Sequence, residues 1–237
     1  MAYEVKDDRI PFYKQYVSMI LIAICIVVMI LQYLDGFFGT GTMLIEYAFV
    51  PSEFLRGQKL WTVFTSMFMH GDIVHILMNM WFFYVVADNC ENKFGHLLFL
   101  LTYLASGLFA TFLHAITTVF ASMVVPTLGT LLLDIPCLGA SGAIFGIIMA
   151  YGILFPETKL ALLANPLGGT GKVSKTVKAS YFVAIYMITE ITYGIYAIID
   201  PLNLGSSTAH WAHVGGALIG AIVAFVYKAY EENKKKK

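Results

Sequence analysis

Charge is scarce in this chain of 237 residues: 13% of positions carry Asp, Glu, Lys or Arg, where a soluble domain averages about 25%. The charge present also cancels, 15 basic residues against 15 acidic, so bulk charge makes no case for nucleic acid as a partner. Cysteine is scarcer still. Cys25, Cys90 and Cys137 form an odd count without a spaced pattern and indicate neither a disulfide framework nor a thiolate metal site. No His-Glu-x-x-His occurs, so zinc would lack its helical ligand pair. Nor do two aspartates fall within apolar stretches; Asp88 and Asp200 stand at the ends of such stretches.

Apolar residues are abundant instead. They make up 59% of the chain, and the mean hydropathy is +0.75. An excess of this size needs lipid as its solvent, since one core could not absorb it at this length. A membrane span takes about 20 mostly apolar residues. Six stretches meet or approach that length: Tyr16–Leu34, Ile73–Ala87, Leu97–Val125, Leu138–Phe155, Ala179–Ile199 and Thr208–Tyr227. The first is too long for a signal-peptide core and lacks a small-residue cleavage site, so it reads as a retained anchor. The segment from Asp35 to Asp72 carries Phe37, Phe38, Trp61, Phe64 and Phe68 and is expected at the membrane interface. The expected fold is all-α, a six-helix membrane bundle over residues 16–227. A short cytoplasmic segment (1–15) precedes it, and a solvated basic tail (228–237) follows.

Basic residues orient the bundle. With both termini inside, the inner segments hold Lys6, Arg9, Lys14, Lys93, Lys159, Lys172, Lys175, Lys178, Lys228 and Lys234 to Lys237, thirteen of the 15 basic residues. The outer segments hold only Arg56 and Lys59. This is the positive-inside asymmetry. Spans two, four and six then all start from the outer face. His75 and Asn79 on span two, Ser141 on span four and His213 on span six fall at similar depth. Polar groups inside a bilayer are costly and usually face the bundle interior, which makes them functional candidates.

Each candidate also has a structural explanation. Ser141 lies in Leu138-Gly139-Ala140-Ser141-Gly142, where Gly142-x-x-x-Gly146 is a helix-contact motif. A serine at a helix N-terminus is equally a candidate nucleophile, because free backbone N–H groups there can stabilise an oxyanion. His213, Gly216 and Gly220 share one helix face, and an imidazole beside a serine hydroxyl can act as its general base. His75 and Asn79, at i and i+4, can both donate hydrogen bonds or can join helices. His70 has no carboxylate or thiolate beside it at ligand spacing. His210 is expected at the interface, without a role. Glu190, an acid inside span five, is expected to hydrogen-bond a neighbouring helix and is also assigned no role.

The motifs His75-x-x-x-Asn79, Gly139-Ala140-Ser141-Gly142 and Ala212-His213-x-x-Gly216-x-x-x-Gly220, in this order on spans two, four and six, resemble the rhomboid intramembrane serine proteases. The likeness covers about Gln58 to Tyr227 and includes Trp61 and Glu91-Asn92-Lys93-Phe94-Gly95. It implies Ser141 as nucleophile and His213 as base, a dyad without an aspartate. It further implies an oxyanion hole from the Ser141 backbone N–H with His75 and Asn79, and Gly139 for close approach beside the serine. Phe145 would pack on the His213 ring, where many members have tyrosine. A first-loop Trp-Arg pair common in the family reads Trp61-Thr62 here. No cofactor and no metal are implied. The implied partners are the lipid bilayer and single-pass membrane proteins as substrates, reached between spans two and five past Met78 and Phe82. The expected setting is a prokaryotic cell membrane with the site opening to the extracytoplasmic side. Two other functions fit a polar cluster in a bundle: an inactive rhomboid-like helix binder, and a solute channel or transporter. The presence of both Ser141 and His213 disfavours the binder, and the lack of matching repeat halves disfavours the channel.

Overall fold

The computed structural model describes residues 2–4, 10–163, 173–200 and 208–236; Lys6, Arg9, Lys172 and Lys237 lie outside the described residues. Among the described residues there are ten α-helices: α1 Tyr16–Phe38, α2 Thr42–Tyr47, α3 Pro51–Leu55, α4 Thr62–Thr65, α5 Ile73–Phe94, α6 His96–Val124, α7 Gly129–Asp134, α8 Ser141–Leu154, α9 Ala179–Ile199 and α10 His210–Lys235. Five of them (α1, α5, α6, α9 and α10) are long and apolar enough to cross a membrane, and α8 is a shorter apolar helix. The fold is thus an all-α membrane bundle.

The boundaries have local causes. Asp72 caps α5 by accepting the His75 backbone N–H at 2.8 Å. Gly95, at φ +77°, ends α5 and begins α6, a reversal that glycine adopts without steric cost. The aromatic segment expected at the interface folds into the short helices α2 to α4. Span six differs from expectation: α10 starts at His210 and runs to Lys235, so most of the basic tail is helical. The structure also adds a three-stranded antiparallel sheet, order β1 (Ala2–Glu4), β2 (Lys159–Leu163), β3 (Val173–Lys178), with Glu4 opposite Leu160 and Lys159 opposite Lys178. Strand β1 is three residues long and pairs with β2 over some 150 residues of sequence, which leaves no local signal.

Helix α8 decides the architecture. Its 14 residues span about 21 Å, short of the roughly 30 Å hydrocarbon core, so its N-terminus starts inside the bundle. Span four therefore begins three residues later than expected, at Ser141, and the chain before it enters as extended backbone. Such backbone must be satisfied by protein rather than lipid. Cys137 and Phe49 exchange backbone hydrogen bonds at 2.7 and 3.0 Å, and the Gly139 N–H donates to the Ser66 carbonyl at 2.9 Å. Residues 142–148 of α8 are all buried, with α5, α6, α9 and α10 packed around them.

A buried carboxylate pins α1 to this core. Glu91, near the end of α5, has no exposed surface and accepts the Val17 and Ser18 backbone N–H groups at 2.9 and 2.7 Å. His96 Nδ1 bonds the same group at 2.6 Å. The first N–H groups of a helix have no intrahelical acceptor, so a carboxylate there satisfies them and meets the positive end of the helix dipole. Glu91→Ala removes the acceptor and strands these donors. It is expected to lower stability by about 3–5 kcal/mol, read as a reduced thermal midpoint in detergent; an unchanged midpoint would show that α1 docks by apolar contact alone.

Candidate active site

Glycine brings α8 and α10 into backbone contact. A methyl group on Gly216 would overlap the Gly142 carbonyl, and one on Gly220 would overlap the Gly146 carbonyl. On the other side of α8, Gly142 faces Ala110 of α6 and Gly146 faces Ser106. Three helices therefore stack through small residues, as helix interfaces in lipid require. This contact places the Ser141 Oγ 2.8 Å from His213 Nε2, with the hydroxyl donating and the ring nitrogen accepting. Phe145, one turn after Ser141, lies flat on the His213 ring at 4.1 Å between centroids and 8° between planes. All four glycine and aromatic packing positions expected from the sequence meet here.

Two side chains without an assigned role complete the arrangement. Glu190 of α9 is buried, and its Oε2 accepts from His213 Nδ1 at 2.9 Å and from His210 Nδ1 at 2.7 Å. The ring protons are inferred from the partners each nitrogen faces. His210, expected at the interface without a role, is buried within the protein and stacked on Tyr193 at 5.4 Å. Because α10 begins at His210, this residue sits one turn above His213 on the same face and shares its partner. Glu190 does bond a neighbouring helix, as its burial demanded. The signal for both lay in the sequence, as an acid inside a span and histidines at i and i+3. The nitrogen and oxygen atoms of Glu190, His210 and His213 lie within 4.8 Å of one another, so among the described residues this trio could hold a metal ion.

His75 and Asn79 face the same space from α5. The Gly71 N–H donates to His75 Nδ1 at 3.4 Å, which leaves the ring proton on Nε2. Nε2 passes so close to Gly139 that a Cβ there would sit 3.0 Å from it, and Gly139 also holds φ +135°, a region that side chains disfavour. The Asn79 Nδ2 is buried and lacks a hydrogen-bond partner. An unpaired buried donor is costly and asks for an acceptor. The Ser141, Gly142 and Ala143 N–H groups at the start of α8 have no side-chain cap. Beside these donors opens a cavity of about 810 Å³, lined by half-buried His114 and buried Glu190 within and open at exposed Asp72 and Val74 and again at exposed Thr189 and Tyr193. Behind His75, the ring of His70 is buried edge-on at 5.2 Å. Burial, with His75 next to it, pushes His70 down to about 4, so near neutral pH it adds no charge.

The first loop is held without an arginine after Trp61. Lys59 reaches the Ile45 carbonyl at 2.8 Å and the Glu53 carboxylate at 3.1 Å. Trp61 Nε1 donates to the Glu46 carbonyl at 3.0 Å, and the Thr62 hydroxyl turns back to the Lys59 carbonyl at 2.8 Å.

Comparison with known proteins identifies the family. A family model described as "Rhomboid domain" matches residues 57–230. The chain is 27% identical to "Rhomboid-like protease 3" of Toxoplasma gondii over 81% of its own length and 61% of that protein's. It is 28% identical to "Rhomboid protease AarA" of Providencia stuartii, over 70% of this chain and 56% of that one. It is 26% identical to "Rhomboid protein 1, mitochondrial" of Saccharomyces cerevisiae, over 82% and 48%. The chain thus spans about half the length of the curated relatives it matches. Several relatives are named as mitochondrial, and the expectation of a prokaryotic cell membrane gains no support from them.

The glycine contact is directly testable. Gly216→Leu forces α10 off α8 and is expected to prevent cooperative folding, seen as loss of the monodisperse peak on size-exclusion chromatography in detergent. A folded Gly216→Leu protein would show that the two backbones need not touch.

Proposed function

We propose that this chain, which belongs to the rhomboid family and is a multi-pass integral membrane protein, is a serine endopeptidase that cleaves membrane-spanning segments of other proteins. The observation that supports this most is the 2.8 Å hydrogen bond from Ser141 Oγ to His213 Nε2, on the wall of a cavity that reaches the surface. In this reading Ser141 attacks the scissile carbonyl while His213 takes its proton, then returns it to the leaving amine. The oxyanion is met by the Ser141 backbone N–H, His75 Nε2 and Asn79 Nδ2, donors fixed before the reaction begins. Water for the second half-reaction enters over the rim at Asp72 and Val74. The distribution of lysine and arginine puts that rim on the extracytoplasmic side.

A helical substrate must unwind before its amide can be attacked, because its carbonyls are hydrogen-bonded within the helix. Access between α5 and α9 suits such a substrate. The two helices meet through the ring of Phe82, whose centroid lies 6.4 Å from that of Phe182 and 6.1 Å from that of Tyr186. Met78, above Phe82 on α5, lines the cavity. Joining positions 82 and 182 through Phe82→Cys and Phe182→Cys is expected to block cleavage of a single-span substrate while leaving a small soluble probe able to reach Ser141. Undiminished cleavage would place access elsewhere.

Covalent labelling tests the peptidase reading itself. A fluorophosphonate probe is expected to label the intact protein in detergent and to leave Ser141→Ala unlabelled; an unlabelled intact protein would point to the helix binder or the channel instead. Asn79→Ala is expected to fold and to cleave about 10²–10³ times more slowly. A normal rate would remove Asn79 from the oxyanion hole.

A further inference from the structure

We propose that Glu190 is a positioning residue for this reaction, holding His213 with its proton on Nδ1 and its Nε2 free to take the proton of Ser141. The inference rests on the peptidase reading above. It replaces the dyad without an aspartate, which the family likeness implies, with a Ser–His–Glu chain anchored by a second histidine.

The tautomer is the first reason. A neutral imidazole carries one N–H, and with that proton on Nε2 it would point a donor at Ser141 and could not act as its base. A carboxylate 2.9 Å from Nδ1 selects the productive form. As Oγ bonds the substrate carbonyl carbon and the C=O electron pair moves to oxygen, the serine proton passes to Nε2 and His213 becomes imidazolium. Glu190 stays ionised and compensates that charge until the proton leaves with the amine.

The second reason is the way the carboxylate itself is held. His210 donates to the same Oε2, and its ring is fixed by stacking on Tyr193, while Trp211 Nε1 donates to the Gly194 carbonyl and ties the start of α10 to α9. A helix-to-helix strap would need His210 alone. The second bond, to the ring already engaged with Ser141, is what a strap leaves unexplained. The trio also suits a proton better than a metal ion. The N···O separations of 2.7 and 2.9 Å are hydrogen-bond lengths, whereas ligands around tetrahedral zinc lie about 3.3 Å apart.

The test uses the full chain in detergent with a single-span substrate. Glu190→Gln keeps the volume and loses the charge; it is expected to lower kcat by about 10²–10⁴-fold with KM within about twofold of normal. Glu190→Asp is expected to recover part of that loss. Histidine ¹⁵N NMR is expected to show His213 protonated at Nδ1 in the native protein and to lose that signature in Glu190→Leu, which removes the acceptor that a glutamine carbonyl would still offer. A normal kcat in Glu190→Gln, beside an active native protein and an inert Ser141→Ala, overturns the inference and leaves the peptidase reading intact. A His213 tautomer unchanged in a folded Glu190→Leu also overturns it, in favour of a strap. Slowing of the native protein by a chelator overturns it in favour of a metal. Absence of any native turnover removes the peptidase reading first, and the inference with it.

Discussion

The backbone-to-backbone contact of α8 with α10 sets the position of nearly everything else. Gly142 and Gly146 meet Gly216 and Gly220 with no side chain between them. In lipid there is no hydrophobic drive to bring two helices together, so van der Waals contact at this range has to supply the attraction. The separation of two helix axes is then set by backbone atoms rather than by adaptable side chains. A hydroxyl on one helix and an imidazole on the other can for that reason be held at hydrogen-bond distance without a loop to adjust them. Gly139 extends the same economy of space to α5, where the His75 ring rests against it.

Two buried acids show how the bundle deals with charge. Glu91 and Glu190 both sit at 5% exposure or less, where an unpaired carboxylate would be prohibitive. Each is surrounded by donors. Glu91 takes two backbone N–H groups from α1 and the ring of His96; Glu190 takes two imidazoles from α10. The first set joins one helix to the core. The second lies in the wall of the cavity, against the ring that faces Ser141, where a fixed negative charge can bear on chemistry as well as on packing.

Much of this was legible in the residues. The apolar stretches marked the bundle, the basic residues suggested its orientation, and the small-residue spacings at 142/146 and 216/220 marked the faces that meet. Ser141, His213, His75 and Asn79 stood out because polar groups are rare in such stretches, and the structure gathers all four around one cavity. Glu190 and His210 were visible as an acid and an imidazole in apolar surroundings, yet nothing local tied them to Ser141. Their partner is 20 or 23 residues away across a connection, and which residue faces which depends on the rotation of α9 about its axis. The first strand of the small sheet was silent for a related reason, since it is three residues long and finds its partner far along the chain.

Composition and periodicity by themselves determined that this chain lives in a bilayer, where its helices run, and which few polar side chains the bundle must turn inward. Those follow from transfer free energies and helix geometry, which act residue by residue. Tertiary structure alone decided that α8 would be too short to reach the surface, that the chain would enter it as extended backbone held by Phe49 and Ser66, and that a carboxylate on α9 would reach the far nitrogen of His213. These depend on the relative depth and rotation of packed helices, set by many small contacts at once and written in no single motif.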